Sequence, residues 1–338
     1  MANGSQNHSG ITRFGLQNVS TFDQEHVIID LVRSKKAAPA SFGIMLAIGT
    51  LLILLGIVVN VAICVVMLRG KRFKKNNSNF FILHLSVTEL VIRLLIFPVV
   101  MYSLITTSEM GILQCKLLTL LTTSFGSAIF VSLLAIAFDR YQNIANPMMT
   151  LKSRRKPVQT IFLVWLYAVI VSVPTVIGVK SIPIQDIPEG NGMVCETCRW
   201  NICDIPQDTL GRFSTVWYFA FAYFAPLVII LTFYTKVAIV LYHRDTNGTL
   251  HKVAARSKYK AMRMLVITVA GYVFSFGPDV LLDIMRSFGV FDGASFGVVS
   301  TFTVTAELLV YTSSLLNPLI FAYYNRAFRN ELQRFLCK

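Results

Sequence analysis

Seven long apolar segments alternate with short polar segments along the chain. Each exceeds the roughly 20 residues that an α-helix needs to cross the hydrocarbon layer of a membrane. Because lipid offers no hydrogen-bond partners, a backbone in that layer must satisfy its own N–H and C=O groups, as a helix does. The pattern therefore predicts an all-α membrane protein, a bundle of seven transmembrane helices at residues 42–68, 79–106, 112–145, 157–178, 213–243, 256–287 and 296–322.

The two ends of the chain carry different patterns. Residues 1–40 form a polar tail, whereas residues 323–338 place Phe328, Leu332, Phe335 and Leu336 on one face at helical spacing. This second pattern is typical of an amphipathic helix that lies in the membrane interface and contacts lipid. We therefore expect an N-terminal tail (1–40), a seven-helix domain (41–322) and an amphipathic C-terminal helix with a short tail (323–338).

Charge divides the loops into two kinds, because the first, third and fifth are basic and the others are acidic or mixed. Short loops rich in Lys and Arg remain in the cytoplasm. The N-terminus is therefore predicted to lie outside the plasma membrane, where glycosylation triplets begin at Asn3, Asn7 and Asn18. The basic loop residues are Arg69, Lys71, Arg72, Lys74, Lys75, Lys152, Arg154, Arg155, Lys156, Lys252, Arg256, Lys258 and Lys260.

Cys337, on the cytoplasmic side, is a candidate for palmitoylation, with a free thiol as the alternative.

The composition agrees with a bilayer environment. Only 14% of the residues are charged, against about 25% in a soluble domain. The formal net charge of +14 would suit a nucleic-acid-binding protein. However, the basic residues lie in short loops between apolar segments and form no basic stripe, so no nucleic-acid partner is predicted.

Four cysteines are predicted on the oxidising side of the membrane: Cys115, Cys195, Cys198 and Cys203. A zinc site is disfavoured because no second ligand pair follows Cys195-x-x-Cys198, and no other metal or cofactor motif is present. Two disulfide bonds are therefore expected. One ties Cys115 to the loop, and its partner is either Cys198 or Cys203.

Ionisable residues inside membrane segments are costly and mark function by default. Glu89 and Arg93 lie one helical turn apart on one face. Two interpretations remain open for them, an internal ion pair or a role in ion binding or switching.

A second ionisable group lies in the outer half of the sixth and seventh segments. Asp279 and Asp283 follow Pro278, which should kink the sixth helix, and Glu307 lies at a similar depth on the seventh. Together these acids predict a negative cavity that favours a cationic ligand. The alternative is local pairing, of Arg286 with Asp283 and of Arg93 with Glu307.

Sequence motifs recur at one set per segment. In this order they resemble the rhodopsin-like family of G-protein-coupled receptors, and the resemblance extends from about Gly56 to Leu336. The motifs are Gly56-x-x-x-Asn60-Val61, Leu85-Ser86-x-x-Glu89, Asp139-Arg140-Tyr141, Trp165, Pro226 with Tyr234, Phe276-x-Pro278 and Asn317-Pro318-x-x-Phe321.

The resemblance implies a switch between two packings of the bundle. Arg140 would be held by Asp139 at rest and would then face the G protein, supported by Tyr234. Pro278 would be the pivot of the sixth helix and Phe276 the ring that senses the ligand. The residues implied in coupling are Asp139, Arg140, Tyr141, Tyr234, Phe276, Pro278, Asn317, Pro318 and Phe321.

Some positions depart from the family pattern. Glu89 stands where the family usually has Asp, which argues against a sodium site built on Asn60, Glu89 and Asn317. Phe321 replaces the usual Tyr and lacks its hydroxyl, and no acid lies near Lys258 to pair with Arg140. These departures predict signalling without ligand.

Two positions narrow the ligand class that the resemblance implies. Tyr311 stands in place of the lysine that a visual pigment needs, and Thr122 in place of the aspartate of aminergic receptors. We therefore expect a receptor for a basic peptide, such as a neuropeptide, that activates heterotrimeric G proteins. The expected pocket residues are Thr122, Asp279, Asp283, Arg286, Glu307 and Tyr311.

Three other functions compete with this interpretation. A receptor for a small cationic or lipid ligand is the alternative within the same class. A seven-helix transporter or channel would predict internal repeats or interrupted helices, and the sequence has no such repeat. An enzyme is not expected, because no metal-binding His pair, nucleophile elbow or phosphate loop is present.

Overall fold

Eight helices and one short β-hairpin make up the described part of the chain. The computed structural model describes residues 39–70, 77–99, 102, 111–145, 157–184, 200–246, 252–291 and 296–336. Seven helices in these ranges are long and apolar enough to cross a membrane, which confirms the predicted bundle. The elements are α1 (Pro39–Arg69), α2 (Asn77–Val91, then a π-helical turn at Ile92–Ile96), α3 (Ile112–Ala145), α4 (Pro157–Gly178), β1 (Lys180–Ile184), β2 (Trp200–Asp204), α5 (Thr209–Tyr218, a π-helical turn at Phe219–Phe224, then Ala225–Thr246), α6 (Lys252–Ser287), α7 (Phe296–Tyr324) and α8 (Arg326–Leu336).

The packing is that of helices surrounded by lipid. Large apolar side chains such as Leu54, Phe162 and Phe274 are exposed on the outer faces of the bundle. The interior of the half that faces α8 is also apolar, and the Phe321 and Phe328 rings meet there with centroids 5.0 Å apart. This contact anchors α8, the predicted amphipathic helix, against the end of the bundle.

The β-hairpin between α4 and α5 was not predicted. Its strands are antiparallel, with Lys180 opposite Asp204 and Ile184 opposite Trp200. A disulfide bond joins Cys203 in β2 to Cys115 near the start of α3. Of the two partners left open by the sequence, Cys203 is therefore the one bonded to Cys115. The half of the bundle that carries this bond is called the outer half below, and the half that carries α8 the inner half.

Some of the predicted sites lie outside the described residues. They are Cys195, Cys198, Cys337 and the glycosylation acceptors Asn3, Asn7 and Asn18.

Asp208 fixes the start of α5. Its Oδ1 accepts a hydrogen bond from the Gly211 N–H at 2.7 Å, so it caps the helix. The helix begins at Thr209, four residues before the predicted start. Its Oδ2 accepts from Lys180 Nζ at 2.8 Å. The Lys180 ammonium and the Gly211 N–H lower the pKa of Asp208. One carboxylate thus ties β1 to the first turn of α5.

Two wide turns interrupt α2 and α5, and each precedes a proline. Pro98 and Pro226 lack the N–H that would bond the carbonyls of Leu94 and Ala222, and both of those residues lie in the π-helical turns. A π-helical turn accommodates one extra residue and is frequent at functional sites. Here the turns direct Arg93 of α2, and Tyr223 of α5, towards the interior.

A polar chain connects α2, α3 and α4. Trp165 Nε1 donates to His84 Nε2 at 3.0 Å, and His84 Nδ1 lies 3.2 Å from Ser132 Oγ. Because Ser132 donates its own hydroxyl proton to the Ala128 carbonyl, at 2.6 Å, His84 Nδ1 is the donor to Ser132. His84 is therefore neutral in this arrangement and bridges the three helices.

Candidate functional site

A cavity of about 310 Å³ opens in the outer half of the bundle, between α2, α3, α5, α6 and α7. It contains five of the six residues expected in the pocket; Arg286 is the exception and lies at the rim. Its wall includes Ile53, Glu89, Ile92, Arg93, Phe97, Thr122, Thr123, Gly126, Phe130, Tyr218, Ala222, Tyr223, Phe276, Asp279, Val280, Asp283, Glu307, Val310, Tyr311 and Ser313.

Three carboxylates converge at the mouth of this cavity. Asp279 and Asp283 lie one turn apart on α6, and Glu307 faces them from α7. Arg286 Nη1 lies 3.8 Å from Asp283 Oδ1, so the expected pairing of these two residues is present at the rim. The Asp283 side chain is nevertheless 59% exposed, which leaves it accessible to a ligand.

Arg286 also holds α6 against α7, because its Nη2 donates to Thr303 Oγ1. Within the described ranges, neither Asp279 nor Glu307 has a cationic partner closer than 4.0 Å. Three carboxylates thus face one guanidinium, and the mouth of the cavity carries an excess of negative charge. Low-dielectric walls focus such a field and attract a positively charged ligand.

The floor of the cavity is a buried ion pair. Glu89 and Arg93 are only 1% and 5% exposed, and the guanidinium of Arg93 contacts the Glu89 carboxylate. The other carboxylate oxygen of Glu89, Oε1, accepts a hydrogen bond from the Tyr272 hydroxyl at 2.7 Å. Arg93 Nη2 reaches Ser313 Oγ at 3.4 Å, so the pair connects α2, α6 and α7. The alternative pairing of Arg93 with Glu307 was wrong, because Glu89 holds the guanidinium.

The Arg93 guanidinium occupies the place at Glu89 that a cation would take, and it already neutralises the carboxylate. Asn60, the second expected ligand, donates from Nδ2 to the Gly56 and Ser314 carbonyls at 2.8 and 2.9 Å. Its Oδ1 is buried without a hydrogen-bond partner. The side chain of Asn317, the third, lies outside the described residues. Glu89 and Arg93 thus form an internal ion pair, the first of the two interpretations.

An aromatic cluster lies directly beside the ion pair. Phe276, the expected ligand-sensing ring, has its centroid 5.5 Å from that of Phe130 and is stacked 6.0 Å from Tyr272. Phe130 also contacts Tyr223 of α5, at 4.9 Å between centroids. A ligand in the cavity can therefore press on α3, α5 and α6 together through one ring cluster.

Sequence reasoning missed two residues of this site. Phe130 carried no signal, because an aromatic residue on a transmembrane helix looks like any other core residue. Tyr218 was also missed, although its hydroxyl donates to the Thr123 carbonyl at 3.0 Å and fixes α5 against α3 inside the cavity wall.

The inner end of α3 carries the residues that the family resemblance places in the coupling switch. Asp139 and Arg140 are neighbours in the chain and interact electrostatically. The Asp139 carboxylate also accepts a hydrogen bond from Asn143 Nδ2 at 3.0 Å. Arg140 Nε is buried without a hydrogen-bond partner, and Tyr234 lies close enough to interact with the guanidinium electrostatically.

The remaining coupling residues lie on α3, α6 and α7. The Tyr141 ring stacks on Phe233 with centroids 5.3 Å apart. Pro278 and Pro318 lie inside α6 and α7, where each removes one backbone hydrogen bond. Phe321 is buried against α8.

The chain is similar in sequence to several known proteins. The chain is 24% identical to neuropeptide FF receptor 2 of Mus musculus over 292 residues, which cover 84% of this chain and 70% of that protein. It is 26% identical to neuropeptide FF receptor 1 of Homo sapiens, over 84% of this chain and 67% of that protein. It is also 26% identical to neuropeptide Y receptor type 1 of Xenopus laevis, over 88% and 81%. The family model of the seven-transmembrane receptors (rhodopsin family) matches residues 59–321, so the chain belongs to this family.

Proposed function

We propose that this receptor binds a basic peptide in the acidic cavity and transmits the signal to a heterotrimeric G protein. The observation that carries the proposal is the group of three carboxylates, Asp279, Asp283 and Glu307, with one guanidinium at the cavity mouth. The relatives named for neuropeptides support a peptide as the ligand. Coupling to a G protein is the activity of the family, whose members are receptors and not enzymes.

The size of the cavity indicates how such a peptide binds. At about 310 Å³, it lies at the lower end of ligand pockets, which span about 300–1,000 Å³. Only the terminal residues of a peptide fit inside. The rest of the peptide would lie over the rim, near the β-hairpin and the first turn of α5.

The same volume supports one alternative, a small cationic ligand that fills the cavity by itself. An apolar lipid ligand is disfavoured, because burying it beside Asp279 and Glu307 would desolvate carboxylates without supplying a countercharge. The two remaining candidates therefore share a positive charge and differ in length.

The orientation in the membrane follows from charge. Among the described residues, Arg69, Lys258 and Arg263 lie at the inner end of the bundle, whereas the disulfide bond lies at the other. Basic inner loops and an oxidised outer half support an extracellular N-terminus and a cytoplasmic α8. The acidic cavity would then open to the outside of the plasma membrane.

The proposed coupling switch centres on Arg140. In the switch, Tyr234 supports Arg140, Pro278 pivots α6, and Phe276 passes ligand contact from the cavity to that pivot. Asp139, Tyr141, Asn317, Pro318 and Phe321 complete the proposed coupling set.

We expect measurable signalling without ligand, because Phe321 lacks the hydroxyl of the usual tyrosine and no acid lies near Lys258 to pair with Arg140 across helices. Cells that express the receptor should show a second-messenger level above that of untransfected cells, and Arg140→Leu should remove the difference. Asp139→Asn is the comparison in the other direction and should raise the basal level, because it removes the carboxylate that interacts electrostatically with Arg140. A wild-type level equal to that of untransfected cells, at normal surface expression, would contradict the expectation.

The ligand proposal is tested with a library of basic, amidated peptides on cells that carry a promiscuous G-protein reporter. A hit should lose potency on Asp279→Asn and on Glu307→Gln with surface expression intact. A hit whose potency is unchanged on both variants would place the ligand elsewhere. Activation by small amines but by no peptide would favour the shorter cationic ligand.

A further inference from the structure

A second cavity, of about 740 Å³, lies at the inner end of the bundle, away from the ligand site. It is formed where the second and third turns of α6 meet the end of α7 and the start of α8. Among the described residues, its lining consists of three tyrosines and three cations: Tyr259, Tyr323, Tyr324, Lys260, Arg263 and Arg329. None of these six is a carboxylate, so this part of the wall is a concentrated positive site with hydroxyl groups around it.

Two of the three cations are available to a ligand. Arg329 uses Nη1 to donate to the Ala322 carbonyl, at 2.9 Å, and to the Tyr323 carbonyl, which caps the end of α7. Lys260 and Arg263 are exposed, and in the described part of the chain neither forms an ion pair or a hydrogen bond. An anion that enters the cavity can therefore be bound without breaking an existing contact of these two side chains.

The depth of the cavity matches the boundary between water and lipid. One turn from Arg263 towards the bilayer interior, α6 exposes Val266 and Ile267, and one turn from Tyr323, α7 exposes Leu319. The amphipathic helix α8 contributes Arg329 and lies at the same level. The walls are thus cationic and phenolic at the membrane surface and apolar immediately above it.

We propose that this cavity binds the phosphorylated headgroup of an anionic phospholipid. Lys260 and Arg263 pair with the phosphate groups, the tyrosine hydroxyls donate hydrogen bonds to them, and the acyl chains lie along the apolar faces of α6 and α7. A bilayer lipid is favoured over a soluble polyphosphate because the apolar faces continue directly from the cationic site. One bound headgroup would touch α6, α7 and α8 at once.

Native mass spectrometry of the full-length receptor in detergent tests this site. The protein is titrated with a phosphatidylinositol bisphosphate, with phosphatidylcholine of the same acyl chains as the neutral comparison. Each basic side chain near an anionic surface strengthens binding about fivefold. Lys260→Gln combined with Arg263→Gln should therefore weaken binding of one anionic lipid by about 25-fold. Both faces of the protein are exposed in detergent, so the result depends on neither the peptide ligand nor the orientation.

Two double variants keep the experiment decisive. Lys236→Gln with Arg334→Gln removes the same charge from exposed positions outside the cavity and should leave binding of that lipid within about twofold of wild type. Lys260→Arg with Arg263→Lys keeps the charge in the cavity and should also retain binding, which separates lost charge from a folding defect. The proposal is overturned by equal binding to the wild type and the glutamine pair, or by an equal loss in the Lys236 and Arg334 control. Competition by soluble inositol bisphosphate at concentrations equal to those of the lipid would overturn the assignment to a membrane lipid.

Discussion

Replacing Arg93 by methionine should destabilise the receptor by about 3–5 kcal/mol, the cost of removing one partner of a buried ion pair. The substitution keeps the length of the side chain but leaves the Glu89 carboxylate without its countercharge, at 1% exposure. Among the contacts of the described residues, the Tyr272 hydroxyl would be the one that remains bonded to it. The melting temperature of the purified receptor should fall by roughly ten degrees.

The double variant Glu89→Gln with Arg93→Met is the control for this experiment. It removes both charges and should recover most of the lost stability, because a neutral pair of similar volume is tolerated where a single buried charge is not. An Arg93→Met protein that melts with the wild type would show that the guanidinium does not compensate a buried carboxylate. Added sodium should not change the melting temperature of the wild type, because Arg93 already supplies the positive charge at Glu89.

Neutralising an acid of the outer cavity should reduce the potency of a basic peptide by about 30- to 3,000-fold. Truncating one partner of a buried charge pair costs about 2–5 kcal/mol, and about 1.4 kcal/mol corresponds to a tenfold change in affinity. Asp279→Asn and Glu307→Gln should lie in this range, because neither acid has a cationic partner of its own to compete with the ligand. Concentration–response curves at matched surface expression measure the effect.

Asp283→Asn provides the graded comparison. Its side chain is 59% exposed and already lies beside Arg286, and exposed pairs contribute only about 0–1 kcal/mol. A loss of about fivefold or less is therefore expected. A double-mutant cycle that replaces one basic residue of the peptide by glutamine should show coupling with Glu307→Gln or with Asp279→Asn. Additive losses in every combination would mean that the peptide's charge does not meet these acids.

The sequence was sufficient for the parts of the fold that depend on solvent. Apolar runs of membrane-spanning length predicted seven helices, and the spacing of Phe328 and Leu332 predicted α8. The start of α5 was misjudged by four residues because a polar first turn, capped by Asp208, lies outside the apolar run. The hairpin was not predicted because two strands of five residues produce no pattern that distinguishes them from a loop.

The candidate site was predictable in its charges but not in its pairings. Acids within transmembrane segments attract notice one by one, so Asp279, Asp283 and Glu307 were found. The packing of α2 against α7 decides whether Arg93 pairs with Glu89 or with Glu307. The spacing of residues along one helix does not reveal this packing. The partner of Cys115 was undetermined for a similar reason, since Cys198 and Cys203 lie in the same loop.

The missed residues are those whose role comes from a neighbour. Phe130 matters because it contacts Phe276 and Tyr223, and His84 because it accepts from Trp165. The neighbouring sequence positions of these two residues do not distinguish them from other residues of a transmembrane helix. The wide turns of α2 and α5 did have a signal, since Pro98 and Pro226 each follow one, but a proline alone also fits a simple kink.

These wide turns affect how contacts are compared between relatives. An α-helix advances about 100° per residue, and the turns at Ile92–Ile96 and Phe219–Phe224 each accommodate one extra residue. A residue count that ignores this extra residue misplaces every position beyond the turn by one residue, or by about 100° around the helix. Ligand contacts should therefore be transferred to this chain separately on the two sides of each turn, and not by counting along the whole helix.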